Sequence, residues 1–363
     1  MKASRMQTSL YPPHIHDWRT VSNTTWISVA TLVPVLAWSV YVYRLDALVT
    51  CALAIGSAVL SESVVNLVRR SLTLGDGSAV ITGAIVALAM PPGVAWYAPV
   101  AASVFAVFVV KAAFGGLGSN WMNPALGGIA FAYSNWPEAM HTFSFPASAG
   151  VVDAVSGSTP IVFARGLLGT GEPVTTLMQS AGYPVTAFDL GATAWMNDVL
   201  FQPLGARLPS GYIDLATGFR AGTIGESAMV MVLAGAAVLF GLRIIRGTAP
   251  IAALTVFSGL VWFFGTALPG EQLWHGDVLF ALLSGGTLLT ALYTMADPVT
   301  SPHRTVHAIL YGVFTGILFF VFRYFGMQTE GAAFAVLIAN IVAPTIDSAL
   351  LSLARFKAAR KSR

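Results

Sequence analysis

From Thr25 to Leu351 the sequence is a succession of long apolar runs, nearly free of charge and parted by short breaks rich in glycine, proline or polar residues. A helix crossing the hydrocarbon core of a bilayer needs about 20 apolar residues, and a helix satisfies its own backbone there without water. The runs therefore predict an all-α polytopic membrane protein. Composition agrees: 56% of the 363 residues are hydrophobic and 10% charged, the mean hydropathy is +0.73, and a soluble domain carries about 25% charged residues. No stretch reads as an added soluble domain.

The runs predict about ten transmembrane helices. The first half, residues 25–134, holds spans near Thr25–Tyr43, Leu45–Val65, Ser71–Met90 (interrupted by Gly75-Asp76-Gly77), Val94–Phe114 and a short run from Asn123 to Ser134. The second half, residues 224–353, holds spans near Glu226–Leu242, Ala249–Leu268, Asp277–Ala296, Val306–Phe325 and Ala332–Leu351. Between them residues 135–223 are rich in Gly, Pro, Ser and Thr and contain no run long enough to span. A polar segment, 1–24, precedes the first half, and a basic tail, 354–363, lies beyond the second.

With both termini in the cytoplasm, fourteen Lys and Arg fall on the inner side. Five fall outside: Arg44, Arg165, Arg207, Arg220 and Arg323. Positive charge collects on the cytoplasmic side of membrane proteins, so residues 135–223 are expected to form a long extracytoplasmic loop of an inner-membrane protein. The halves also share a series. Ile81–Met90, Pro91-Pro92, a long span and Phe114-Gly115 are echoed by Leu282–Met295, Asp297-Pro298, a long span and Phe325-Gly326. Five spans per half would make such repeats inverted, an arrangement that places polar sites at the repeat interface.

The single cysteine, Cys51, lies in an apolar run, and without a Cys-x-x-Cys pair no iron–sulfur cluster or structural zinc is expected. The N-terminus lacks the shape of a cleaved signal. His303 and His307, beside Arg304, are expected among lipid headgroups or against a partner, and Trp18, Trp26, Trp96, Trp121 and Trp136 form an interfacial belt. No metal spacing occurs, and no nucleic-acid partner is expected.

Three features carry chemistry. In Asp153-Ala154-Val155-Ser156-Gly157-Ser158-Thr159-Pro160 the small residues leave the Thr159 hydroxyl unshielded and Pro160 stiffens the turn after it; an ordinary Ser/Gly/Pro turn is the competing reading. Asn123 before Pro124 reads as a helix N-cap, with Asn120 and the glycines at 115, 116 and 118 leading into it. Six carboxylates lie in or beside spans: Glu62, Asp76, Glu226, Asp297, Glu330 and Asp347. Charges at such depth face a cavity or a partner, although Glu226 and Asp297 could equally cap helix ends.

On these residues the chain resembles a known family. The 153–159 string is similar to the flavinylation motif of the D subunit of the Rnf electron-transport complex and the B subunit of the Nqr pump, with Ser158 where the family usually has Ala. Phe114-Gly-Gly-Leu-Gly-Ser-Asn-Trp-Met-Asn-Pro-Ala-Leu126, Gly222-Thr-Ile-Gly-Glu-Ser227, Ala296-Asp-Pro-Val-Thr-Ser-Pro302 and Ala343-Pro-Thr-Ile-Asp347 resemble further signatures, in order, as does Pro13-His14-Ile15. The resemblance implies FMN attached to Thr159 by a flavin transferase through a phosphodiester bond, with Asp153, Ser156, Gly157 and Ser158 completing the motif. It also implies non-covalent riboflavin lined by Asn120 and Asn123, and ion coupling at Asp297 and Asp347, two aspartates expected to share one inner vestibule. The implied activity is electron relay in a ferredoxin:NAD oxidoreductase that moves Na⁺ or H⁺. The chain would be a subunit without a complete active site of its own, and the implied partners are the G, A, E, B and C subunits and membrane lipid. A quinone-reducing Nqr B subunit and a non-redox channel or secondary transporter remain the other readings.

The charge count makes a direct prediction. An exported reporter fused after residue 170 should be active and a cytoplasmic one silent, with the reverse for fusions after Arg363; the opposite pattern would invert the topology.

Overall fold

In lipid a helix can stop only where other groups take over its end, so the helix ends organise this fold. The computed structural model describes residues 18–70, 73–146, 159–161, 174–180, 183–265, 276–326 and 331–361, and their regular structure is helical. The first half comprises α1 (Val21–Tyr43), α2 (Leu45–Arg69), α3 (Ser78–Leu88), α4 (Tyr97–Ala112) and α5 (Pro124–Asn135). Residues of the 135–223 stretch form the short α6 (Pro137–Met140), α7 (Val174–Ser180), α8 (Ala187–Met196) and α9 (Tyr212–Thr217). The second half comprises α10 (Ile224–Gly241), α11 (Thr248–Phe264), α12 (Val278–Leu283), α13 (Thr287–Leu289, running on through a π-type turn at Thr290–Thr294), α14 (Thr305–Phe325) and α15 (Gly331–Lys361).

Among the described residues five helices are long and apolar enough to cross a membrane: α1, α2, α10, α14 and the Gly331–Ser352 part of α15. The chain is a multi-pass membrane protein. Its polarity is arranged accordingly, with Leu67 81% and Leu60 68% exposed on the outside of α2 while Glu62 and Asn66 on the same helix are buried.

Two of the expected spans are not continuous helices. The third begins only at Ser78, because Leu74–Asp76 forms a tight turn and Gly77 takes a left-handed φ of 74°. The eighth breaks at Ser284-Gly285-Gly286, where both glycines have positive φ, and leaves the separate pieces α12 and α13.

Packing relies on close approach. The most extensive helix pair is α11 with α14. A Cβ added at Gly312 or Gly316 would lie 2.5 Å from the carbonyl oxygen of Ala249 or Ala253, respectively. Small residues spaced four apart let two backbones meet in this way in membranes. The halves interlock: Ser39 of α1 bonds the Ser227 hydroxyl at 2.7 Å and donates to the Ile224 carbonyl at 2.9 Å. The Ile224 N–H in turn donates to the Met90 carbonyl at 2.9 Å, at the end of α3. In the 135–223 stretch the buried Asp189 carboxylate accepts the backbone N–H groups of Gly211, Ile213 and Asp214 at the start of α9. Met178, Tyr212 and Leu215 pack there on Phe280 of α12.

Gly316→Leu should therefore separate α11 from α14 and cost roughly 1–3 kcal/mol, the usual scale for overpacking. A lower thermal midpoint of the purified protein in detergent checks this.

Candidate functional site

The residues flanking α3, α5 and α13 border a partly open cavity of about 290 Å³ walled by Ser78, Lys111, Asn120, Asn123, Tyr293 and Asp297 among others. Pockets for small ligands start near 300 Å³ and combine apolar walls with a few placed polar groups. Asn123 caps α5 as expected, its Oδ1 accepting the N–H groups of Ala125 at 3.0 Å and Leu126 at 3.4 Å. Its Nδ2 donates to Asp297 Oδ2 at 3.1 Å, and Asp297 Oδ1 accepts the Val299 N–H at 3.0 Å. Asn120 is buried, and its amide donates to the carbonyls of Gly116 at 3.1 Å and Val110 at 3.3 Å. The loop reaches this position because Gly115, Gly116 and Gly118 have φ values of 113°, 104° and 96°, a region costly for any residue with a Cβ. The structure thus joins Asn120, Asn123 and Asp297 in one wall.

Asp347 is not part of that wall. It pairs with His307 Nδ1 between α15 and α14. His307 is buried rather than set among headgroups, and its partner is the partly exposed Asp347 carboxylate.

A second cavity, about 350 Å³, adjoins the first and is lined by Glu62, Asn66, Arg69, Thr73, Asp76, Lys111 and the Gly115-Gly116-Leu117 turn. Lys111 belongs to both walls. Its Nζ donates to Glu62 Oε1 at 2.7 Å and to Ser78 Oγ at 2.5 Å. Counting Lys111 on the inner side says nothing of this pairing. The signal was present, since a lysine inside the Val94–Phe114 run has to find a partner. It sits on a π-type turn, Ala106–Ala112, a helix irregularity frequent at functional sites.

A third cluster surrounds the break in the second half. Arg323 donates to Ser284 Oγ at 3.0 Å, Thr287 Oγ1 at 2.7 Å and the carbonyls of Ala281 and Ser284 at 2.8 and 2.5 Å. Arg220 donates to the Leu283 carbonyl at 2.5 Å and pairs with Glu226 Oε2 at 3.1 Å. That carboxylate oxygen also accepts the Gly285 N–H at 2.9 Å. Both arginines, counted on the outer side in the charge tally, are buried, and their guanidinium groups supply donors to the carbonyls that the broken helix leaves open. Glu226 does cap its own helix, in a capping box with Thr223.

Thr159 lies at this cluster's edge. A Cβ at Gly285 would lie 2.2 Å from Ile161 Cδ1 and 2.7 Å from Arg323 Nη1, which places the 159–161 segment against the break. Thr159 is 1% exposed, so the hydroxyl expected from the sequence to be accessible is covered in this structure. Asp153, Ser156, Gly157 and Ser158 lie outside the described residues. In the stretch between the halves, burial holds the Asp214 carboxyl above the usual carboxylate range, against the opposing pull of its hydrogen bonds from Thr186.

Comparison with known proteins locates this architecture. The model of the NQR2, RnfD, RnfE family matches residues 8–353. The D subunit of an ion-translocating oxidoreductase complex from Stutzerimonas stutzeri is 34% identical over 321 residues, covering 87% of this chain and 86% of that protein. The D subunit of a proton-translocating ferredoxin:NAD(+) oxidoreductase complex from Clostridium ljungdahlii is 28% identical, with 92% of each chain covered. Its counterpart in a Na(+)-translocating complex of the same kind from Acetobacterium woodii is also 28% identical, over 92% of this chain and 91% of its own.

The capping roles are separable by stability. Asn123→Ala removes one N-cap, worth about 1 kcal/mol. Arg323→Met strands several buried acceptors, each worth about 1–3 kcal/mol, and should lower the thermal midpoint in detergent clearly further.

Proposed function

The chain belongs to the NQR2, RnfD, RnfE family, and from that membership we propose that it is the electron-relay membrane subunit of a redox-driven ion translocase of the Rnf type. In this reading FMN is carried on Thr159, riboflavin occupies the 290 Å³ cavity, and electron transfer between ferredoxin and NAD is coupled to Na⁺ or H⁺ movement. The observation that carries it is the cavity itself. Its volume suits an isoalloxazine, and its wall gathers the polar residues Asn120, Asn123, Asp297 and Lys111 around one space.

A flavin supplies one- and two-electron chemistry; the chain's own residues hold and insulate it. Asn123 is fixed by two jobs at once, capping α5 and bonding Asp297, so its amide cannot wander. The side chains of Ile81, Ile85 and Ile245 supply the apolar part of the wall. At Thr159 the hydroxyl oxygen is the tether. The packing of Ile161 on Gly285 holds that tether against the second-half break, so attachment by the flavin transferase precedes this packing. Asp297, in the cavity wall, and Asp347, on His307, are the candidates for ion coupling.

The finer architecture fits the same reading. The breaks support two inverted five-helix repeats: Gly77 precedes Ser78, which accepts from Lys111, as Gly286 precedes Thr287, which accepts from Arg323. Both termini face the cytoplasm, residues 135–223 face outward, and the G, A, E, B and C subunits are the partners.

Protein made with an active flavin transferase should be heavier by one FMN moiety in intact-mass measurement. Thr159→Val should abolish that increment while the protein still inserts. An unmodified wild-type chain under those conditions would overturn the assignment.

A further inference from the structure

The helix α8 and its continuation, a π-type turn at Asn197–Phe201, distribute their side chains in the opposite way to a helix on a water-facing surface. Asp189, Thr193 and Asn197, four residues apart, turn toward the protein. Asp189 accepts N–H groups at the start of α9, Thr193 donates to Asp189 Oδ1 at 3.2 Å, and Asn197 exchanges two hydrogen bonds with the Leu208 backbone at 2.7 and 2.9 Å. The other side is apolar and open. Phe188 is 60% and Trp195 62% exposed, and Leu190, Val199 and Leu200 stand exposed with them. A Cβ added at Gly191 would meet nothing within 4 Å. A surface helix in water points its apolar stripe at the core, and exposed apolar patches mark a contact with lipid or with protein.

The fold fixes how far this face stands from the hydrocarbon. Trp38 Nε1 of α1 donates to the carbonyl of Thr217, the last residue of α9, at 2.8 Å. At 1.5 Å per residue, Trp38 lies about 8 Å short of the end of α1 at Tyr43. The six residues of α9 extend about 9 Å, and α8 holds their other end through Asp189. The level of α8 therefore lies within about one length of α9 from that of Trp38. Tyr41 and Leu45, at the turn from α1 to α2, are 67% and 70% exposed, so the lipid-facing apolar surface of the spans reaches the same level. An amphipathic helix in a bilayer interface buries its apolar face about 5–10 Å into the headgroup–acyl boundary, and tryptophan concentrates there.

We propose that α8 is an interfacial anchor: its Phe188 and Trp195 face lies in the bilayer surface at the level where α1 turns into α2, and lipid is its partner. No Lys or Arg occurs from Ala187 to Ala206, so attraction to anionic headgroups contributes nothing and apolar burial alone carries the insertion. Asp198, the exposed charge nearest to α8, stands beyond its last residue, Met196. The stretch between the two halves is thereby held on the membrane at α8 instead of standing free in water. Through Asp189 the anchor also holds α9, whose Tyr212 and Leu215 pack on Phe280 of the broken eighth span.

A nitroxide spin label at Gly191→Cys, with Cys51→Ala in the background, tests this in the assembled complex in phosphatidylcholine vesicles. Ala194→Cys, also exposed, takes its place should the first variant not assemble. Collisions with oxygen and with a water-soluble nickel chelate report the depth of the label. Oxygen should reach it more readily than nickel, at a depth of about 5–10 Å, and phosphatidylglycerol in the vesicles should leave that depth unchanged. Adding Phe188→Ser and Trp195→Ser should shift the label toward water. A label that nickel reaches as readily as oxygen in the parent would overturn the anchor. Shielding from both reagents would mean that a protein partner covers the face, and would overturn lipid as its occupant. Insertion that needs the anionic lipid, or a depth that survives loss of both aromatic side chains, would overturn apolar insertion through this face.

Discussion

A carbonyl or an N–H left unpaired inside a bilayer has no water to turn to, and the break at Ser284-Gly285-Gly286 is where this protein meets that constraint most directly. The two glycines let the backbone leave the helix, and Arg323, Arg220 and Glu226 then replace the lost bonds from three other parts of the chain. The signs are right: guanidinium groups meet the carbonyl end of α12, and a carboxylate meets the N–H of the residue that leaves it. Without that arrangement the eighth hydrophobic run would gain more by forming one continuous helix. The ends of α12 and α13 would then not exist as places where backbone and side chains converge.

The first half solves the same problem with different residues. Gly77 ends the turn before α3, Asp76 Oδ1 accepts the Ser78 N–H at 2.8 Å, and Lys111 and Glu62 supply the opposite charges. Each interrupted helix therefore brings buried ions with it, and buried ions in low dielectric are held only when paired and hydrogen-bonded. This is why buried ions such as Lys111 with Glu62 and Arg220 with Glu226 gather beside the breaks. The lipid-facing sides of the long helices can be purely apolar, and Leu60, Leu67, Val230 and Ile251 stand exposed there.

The cavity walls show how one residue comes to serve two ends. Asn123 is needed to start α5, and the geometry that lets its oxygen cap the helix aims its nitrogen at Asp297 from the other half. Asn120 is held by carbonyls of the loop that precedes it and of α4. A site built from helix caps is rigid, because moving its side chains would also undo a helix terminus, and rigid first contacts are what position a bound group. The cost is that these residues cannot be changed for function alone.

Length and hydropathy, read from the sequence by themselves, determined that this chain crosses the membrane many times, that its regular structure is helical, and where most helices begin and end. Local rules also hold up: the Asn123 cap and the Thr223–Glu226 capping box depend on residues three apart or fewer, and short-range hydrogen bonds need no knowledge of the rest of the chain. The family was legible too, in several ordered signatures. What only the tertiary structure decided is which charges face each other. Lys111 with Glu62 is 49 residues apart in sequence, Arg220 meets a carbonyl 63 residues away, and Asn123 meets Asp297 across 174. A count of charges along the chain assigns each to a side of the membrane, but it cannot see that packing has turned Lys111, Arg220 and Arg323 inward. The free energy that pairs them is the desolvation each would suffer alone, and that depends on the packed surroundings, not on the neighbours in sequence.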